Sequence, residues 1–242
     1  MSRTQTDYFS EIDRNMNWND VIVLLQANAD NDYRDFSIKL SPGVTAMYGV
    51  RLPILKQIAK DVCKGDWKST LMEAKDDSIE ELMIQGHIIG FAKSDYDTLI
   101  KCVETFVKKI KVWSVCDTTV ATFKFVRKEK EKTWDFLDFY VKDADVWNRR
   151  FAAVMMLSHF IDEEYIDRVL DRLISMSPSG YYAEMGIAWA IQGCYAKFPE
   201  KTKDVLEKNI LAKEVQNRAI QKICESLRTS KEEKEFLRTL KL

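Results

Sequence analysis

RLPILKQIAKDVCKG, residues 51–65, holds the pattern on which the fold reading turns. Its apolar positions 54, 55, 58, 59 and 62 recur at helical spacing and form one stripe. Pro53 sits near the first turn, where a missing N–H costs little. Gly65 stands just past the last turn, where a helix can stop. The segment therefore reads as an amphipathic helix.

Working outward, nearly every other segment fits the same 3.6-residue period. WNDVIVLLQANA, residues 18–29, reads as a helix. SIEELMIQGHIIGFAK, residues 78–93, opens with a capping box from Ser78 to Glu81 and continues apolar nearly all round, which marks a buried helix. Further helices are expected at 95–109, 113–126, 132–142, 145–158, 162–176, 180–197, 200–208, 212–227 and 230–240. No segment shows strand alternation, and the chain of 242 residues holds only 8 Gly and 4 Pro to interrupt helices. The connections, such as KSD, KDAD and SPSG, are short, as antiparallel helical neighbours require.

Trp113, Trp147 and Trp189 lie on successive amphipathic segments at a spacing that suits helical-pair repeats of the HEAT type, about 40 residues each. The expected fold is all-α, a HEAT-like helical-repeat solenoid with a concave surface, forming one domain over residues 1–242. No linker rich in Pro, Gly or Ser divides the chain.

Composition excludes several classes. A hydrophobic share of 46% beside 31% charged residues belongs to a folded soluble chain rather than a disordered one. No apolar run reaches the ~18 residues of a membrane span, and the polar start does not read as a signal peptide. Five widely spaced cysteines without a C-x-x-C pair read as reduced, mostly buried thiols of a cytoplasmic protein. Net charge is −1, yet it is unevenly spread. Residues 66–100 hold three Lys against eight acids, and residues 101–132 hold nine Lys and Arg against four acids. A nearly neutral chain can thus present a basic face, although such a run can equally be solvated helix surface.

Chemistry narrows quickly. The phosphate-loop, dinucleotide, H-E-x-x-H and G-x-S-x-G patterns are all absent. The two histidines are isolated: His87 reads as a satisfied core residue, and His159 as a complement to a helix terminus. No metal site and no cofactor are expected. What remains is Trp, Asp and Arg. Trp113 and Asp117 are four apart and share a helix face, and Trp147 and Arg150 are three apart and share another. Either Arg149 or Arg150 points toward the side that holds Ala153 and Val154. Trp189 is set among small residues that let helices approach closely. Cys116, about 100° round the helix from Asp117, reads as core. Two arrangements stay open: an acidic, aromatic-lined groove, or a buried Asp117–Arg150 pair cementing adjacent repeats with the tryptophans as core.

The order of five segments then carries a resemblance. MYGVRLPILKQIAKDV, VWSVCDTTV, VWNRRFAAVMML, GIAWAIQGCYAKFPE and NRAIQKI, spread over about residues 45–226, resemble the AlkD-like DNA alkylation repair proteins. The resemblance implies HEAT-like repeats and a DNA glycosylase that hydrolytically releases cationic N3- and N7-alkylated purines, acting as a monomer on double-stranded DNA. It implies Asp117 as the catalytic carboxylate, Trp113 and Trp189 as aromatic contacts to the lesion, and Arg150, with Arg149, at the phosphates. It places Arg51 close to DNA. It also implies that the lesion is handled without a closed pocket for a flipped base. The sequence departs from the family pattern around the late tryptophan. Met185 replaces a lysine, Gln192 and Gly193 replace an Arg-Glu pair, Glu184 adds an acid, and Ser114 stands where an acid is common. These changes remove basic character, so a catalytically weak DNA-binding member or a protein scaffold remains an alternative.

Overall fold

The computed structural model describes residues 15–242, and among them every regular element is a helix. The chain divides into two compact units, one ending at Phe123 and one beginning at Lys124. The first holds α1 (Trp18–Ala27), α2 (Asn31–Lys39), α3 (Leu52–Val62), α4 (Trp67–Met72), α5 (Ile79–Phe91), α6 (Tyr96–Val107) and α7 (Trp113–Val120). The second opens with a 3-10 helix (Lys124–Lys128). It continues through α8 (Lys130–Val141), α9 (Val146–His159), α10 (Ile166–Ser175), α11 (Tyr181–Lys197), α12 (Pro199–Glu207), α13 (Lys213–Glu225) and α14 (Lys231–Thr239).

Within each unit alternate helices stack. In the first, α5 packs on both α3 and α7; in the second, α11 packs on both α9 and α13. The even-numbered helices flank them, with α6 on α5, α8 on α9, α12 on α11 and α14 on α13. This explains the two kinds of apolar pattern. A flanking helix buries one stripe, as α10 does through Ile166, Val169, Leu170 and Leu173. A middle helix is covered on two sides, so α5 is buried without a break from Met83 through Ile84, Gln85, Gly86, His87 and Ile88 to Ile89. Each such aliphatic side chain contributes about 1.5–3 kcal/mol on burial. Many long-range side-chain bonds fall between 30 residues (Arg149 to Ser179) and 38 (Tyr195 to Glu233) and centre on an offset of 33 or 34, as in Lys109 to Asp76, Tyr165 to Glu131, Lys201 to Asp167 and Arg218 to Glu184. That offset is the period of the repeat.

Gly86 and Gly90 let α7 approach α5. A β-carbon at Gly86 would stand 2.5 Å from Thr119 Cγ2, and one at Gly90 would stand 2.0 Å from Thr122 Oγ1.

Several expectations need correction. The helix expected over 113–126 stops at Val120. Its last residues are β-branched, and Thr122 Oγ1 and the Thr122 amide both donate to Thr119 O, at 2.6 and 2.8 Å, which closes a tight turn before the 3-10 helix. Helices α2 and α4 have no counterpart among the expected elements. Ser78 does cap α5, accepting from the Glu81 amide at 3.2 Å, but its hydroxyl itself donates to Glu81 Oε1 at 3.1 Å, in place of the backbone arm of a full capping box. His87 is in the core yet unsatisfied: it is 0% exposed, and neither ring nitrogen has a hydrogen-bond partner among the described residues. The cysteines are less buried than expected. Cys116 and Cys194 are buried, whereas Cys63, Cys102 and Cys224 are half-buried.

Candidate functional site

Helix α7 separates its residues cleanly. Val115, Cys116, Thr119 and Val120 are buried, while Trp113, Ser114, Asp117 and Thr118 are half-buried on the other side. At about 100° per residue, Asp117 falls one turn beyond Trp113 and Ser114 and angularly between them. Asp117 is therefore half-buried rather than a core residue. The indole of Trp113 is held in place, because its Nε1 donates to Leu40 O at 3.0 Å. Trp113 and Asp117 thus share a face, as their spacing predicts.

A second element of the first unit lies just before α3. Gly49 adopts φ +86°, and a β-carbon there would stand 2.2 Å from Asp30 O. The loop is fixed by Glu80 of α5, whose Oε1 accepts from the Gly49 amide at 2.7 Å and the Val50 amide at 3.2 Å. Glu80 is 2% exposed. The clamp sets Arg51, the N-cap residue of α3, on the surface. There Arg51 pairs with Asp30 at 3.1 Å and covers the Tyr33 ring at 4.4 Å. Hydrogen bonds from the Tyr33 amide and then from Arg51 hold the Asp30 carboxyl below its usual range. Sequence reasoning missed Glu80. It reads as one acid in an acidic run, and its partners lie 30 residues upstream.

The second unit carries Arg149, Arg150 and Trp189. Both arginines are buried, at 4% and 6% exposure. Arg149 Nη1 donates to Asp143 O at 2.6 Å and Ala144 O at 2.8 Å, and Nη2 donates to Ser179 O. Its two Nη atoms are spent on carbonyls that flank α9 and α11, so it ties loops together, while its buried Nε has no hydrogen-bond partner among the described residues. Arg149→Ala is expected to orphan these carbonyls and cost about 2–3 kcal/mol, a fall in Tm of about 5–10 °C. An unchanged melting curve would show that the carbonyls find other donors.

Arg150 Nη1 donates to Tyr182 O at 2.9 Å, and its side chain crosses α11 at Gly186, where a β-carbon would stand 3.1 Å from Arg150 Cγ. Trp147 stacks on Tyr182, with ring centroids 4.5 Å apart. Trp189 is half-buried on α11. Glu184, the acid added near Trp189, is neutralised by an ion pair with Arg218 of α13. Gly193 packs against side-chain tips: a β-carbon there would stand 2.2 Å from Leu157 Cδ1, so a larger residue, such as the acid of the family pattern, needs Leu157 to turn aside.

Several members of the basic segment are committed internally. Lys109 binds Asp76 and Gln85 Oε1, both at 2.9 Å. Arg127 donates to Ser158 O at 3.0 Å and His159 Nδ1 at 3.3 Å, and Lys130 pairs with Asp162. Lys101, Lys108, Lys124 and Lys128 are exposed. Among the described residues, no group of three or more His, Cys, Asp or Glu could hold a metal ion, and no helix is long and apolar enough to cross a membrane.

Among curated proteins none matches this chain. A family model described as DNA alkylation repair enzyme matches residues 21–223, most of the chain, and the chain therefore belongs to the DNA alkylation repair enzyme family.

Proposed function

We propose that the protein releases cationic N3- and N7-alkylated purines from double-stranded DNA by hydrolysis of the N-glycosidic bond. The observation that carries this reading is Asp117: a carboxylate half-buried on the accessible side of α7, one turn from a tethered tryptophan, in a chain of this family. An alkylated purine carries positive charge and is already a good leaving group. Its departure leaves an oxocarbenium-like sugar, which a fixed carboxylate stabilises or supplies with a directed water. Aromatic faces attract the cationic base by about 0.5–2 kcal/mol each, and a neutral purine gains none of this. Trp113, on the same helix as Asp117, would serve so. Arg51, which is exposed, would contact a phosphate by exchanging Asp30 for a phosphate oxygen, whereas Arg150 is buried and bonded to Tyr182 O, so the phosphate role implied for it would need that bond to give way.

The test is release of 7-methylguanine from methylated duplex DNA. The wild type is expected to release base, and Asp117→Asn to lower the rate about 10²-fold. No release above the buffer background would end the glycosylase reading.

The changes at Met185, Gln192 and Gly193 favour a second reading, a catalytically weak member that still binds DNA. It predicts an affinity that falls steeply with salt while no base is released. A scaffold role predicts neither behaviour.

A further inference from the structure

A cavity of about 540 Å³ opens between α4, α5 and α6 of the first unit. Sites for small organic ligands fall in the same range, roughly 300–1,000 Å³. None of the described residues that line it belongs to α7 or to the loop of Arg51, so it is separate from the side chains around Asp117. Its walls are apolar, with Trp67 and Leu71 from α4, Ile89 from α5 and Phe106 from α6. Its charged groups are of one sign. Lys68, Lys101 and Lys109 line it, and among the described residues no Asp or Glu does. Lys109 is committed to Asp76 and Gln85 Oε1, both at 2.9 Å. Lys68 and Lys101 are exposed and make no ion pair among the described residues. Lys68 Nζ stands 5.6 Å from the centroid of the Trp67 ring, so charge and apolar wall adjoin. Burial pushes the Cys102 thiol of α6 up and Lys68 of α4 pulls it back, which puts that ammonium within electrostatic reach of the facing wall.

Two ammonium groups beside an apolar hollow, with no carboxylate to match them, suit an anion with an apolar body. Of the side chains that line the cavity, only Met72 is a large apolar group standing open to water, at 87% exposure. A protein or membrane face needs a broader apolar patch than that, so the partner is a small molecule in solution. We propose that this cavity binds a straight-chain carboxylate of the fatty-acid class. The carboxylate sits between the Lys68 and Lys101 ammonium groups at the rim, and the hydrocarbon tail lies against Trp67, Leu71, Ile89 and Phe106. The site is independent of the glycosylase reading, because it shares no lining residue with α7.

The test titrates decanoate, decanol and decyltrimethylammonium into the full-length protein by calorimetry, each below the concentration at which it forms micelles. Decanoate should bind about five- to tenfold more tightly than decanol, the factor that two exposed ion pairs of ordinary strength supply. The cation should bind more weakly than either. Octanoate should bind about tenfold more weakly than decanoate, because each buried methylene is worth about fourfold. The double variant Lys68→Glu, Lys101→Glu changes only exposed side chains, so its fold should be kept, and it should erase the preference for the acid over the alcohol. A footprint on the wild type locates the ligand without any substitution. Decanoate should slow maleimide labelling of Cys102, which lines the cavity, and leave that of Cys63, half-buried elsewhere, unchanged. Equal affinity for acid and alcohol, a preference that survives the double variant, or a Cys102 that decanoate does not protect overturns the inference. Release of alkylated base without decanoate binding sinks this inference alone, and decanoate binding without base release sinks only the glycosylase reading.

Discussion

Acidification from pH 7 to pH 4 is expected to cost the fold about 3 kcal/mol through His87 alone. The imidazole is 0% exposed, and its two nitrogens lack hydrogen-bond partners among the described residues. Burial, with a smaller contribution from Lys56, pushes its pKa down to about 3. In the unfolded chain the same group titrates near 6.5. A depressed folded value means that the unfolded state takes up a proton first. Stability is therefore intact above about pH 6.5 and falls continuously as the pH drops toward 3.

Carboxyls add a background of the same sign. A hydrogen bond from Arg168, helped by one from Tyr165, holds Glu131 at about 2, and bonds from Thr98 hold Asp95 at about 2. The comparison that isolates His87 is therefore a difference. His87→Leu removes two orphaned polar atoms and keeps a similar volume against Phe91, so at pH 7 it should be as stable as the wild type or more so. Urea unfolding of both proteins at pH 7 and pH 4 should show the gap widening by about 3 kcal/mol in favour of the variant. Curves that stay parallel would mean that the buried imidazole protonates at its ordinary pKa.

The orphaned nitrogens of His87 also mark the boundary of what the sequence can tell. Periodicity reports which side of a helix is covered, so α3, α10 and the other one-sided helices are legible from their stripes. It also reports full burial, which is why α5 is legible as a buried helix. It does not report hydrogen bonds between residues about 30 positions apart, and these decide the fate of several buried charged groups here. Glu80 finds the Gly49 and Val50 amides, Glu184 finds Arg218, and Arg149 finds Ser179 O, whereas His87 finds none among the described residues. Helix α2 is illegible for the opposite reason: none of its residues is buried, so no stripe exists to be read. At the candidate site, the i, i+4 relation of Trp113 and Asp117 is legible because it is local. The division of labour between Arg149 and Arg150 is not. Helical spacing turns one of them inward, but both are buried, each drawn in by different carbonyls.

The loop that those distant bonds hold makes the second large prediction. Gly49→Ala is expected to destabilise the protein by about 3–4 kcal/mol, for two separable reasons. A side chain at φ +86° costs about 1 kcal/mol by itself. The larger part is steric: the new methyl would stand 2.2 Å from Asp30 O and 2.8 Å from Arg34 Cβ, and a backbone carbonyl cannot swing aside as a flexible side-chain tip can. The loop must move, and with it go the two amides that Glu80 Oε1 accepts from. A buried carboxylate then loses its donors, which adds to the penalty. Arg51 follows the loop, so its pairing with Asp30 and its place over Tyr33 change as well. Melting temperature and duplex affinity should therefore fall together in Gly49→Ala. Gly43→Ala makes a matched control, because it has a similar φ of +87° but nothing within 4 Å of the added methyl. It should lose only the conformational part, about 1 kcal/mol, with DNA affinity unchanged. Equal losses in the two variants would show that backbone strain alone accounts for Gly49, and that the contact with Asp30 relaxes without disturbing the clamp.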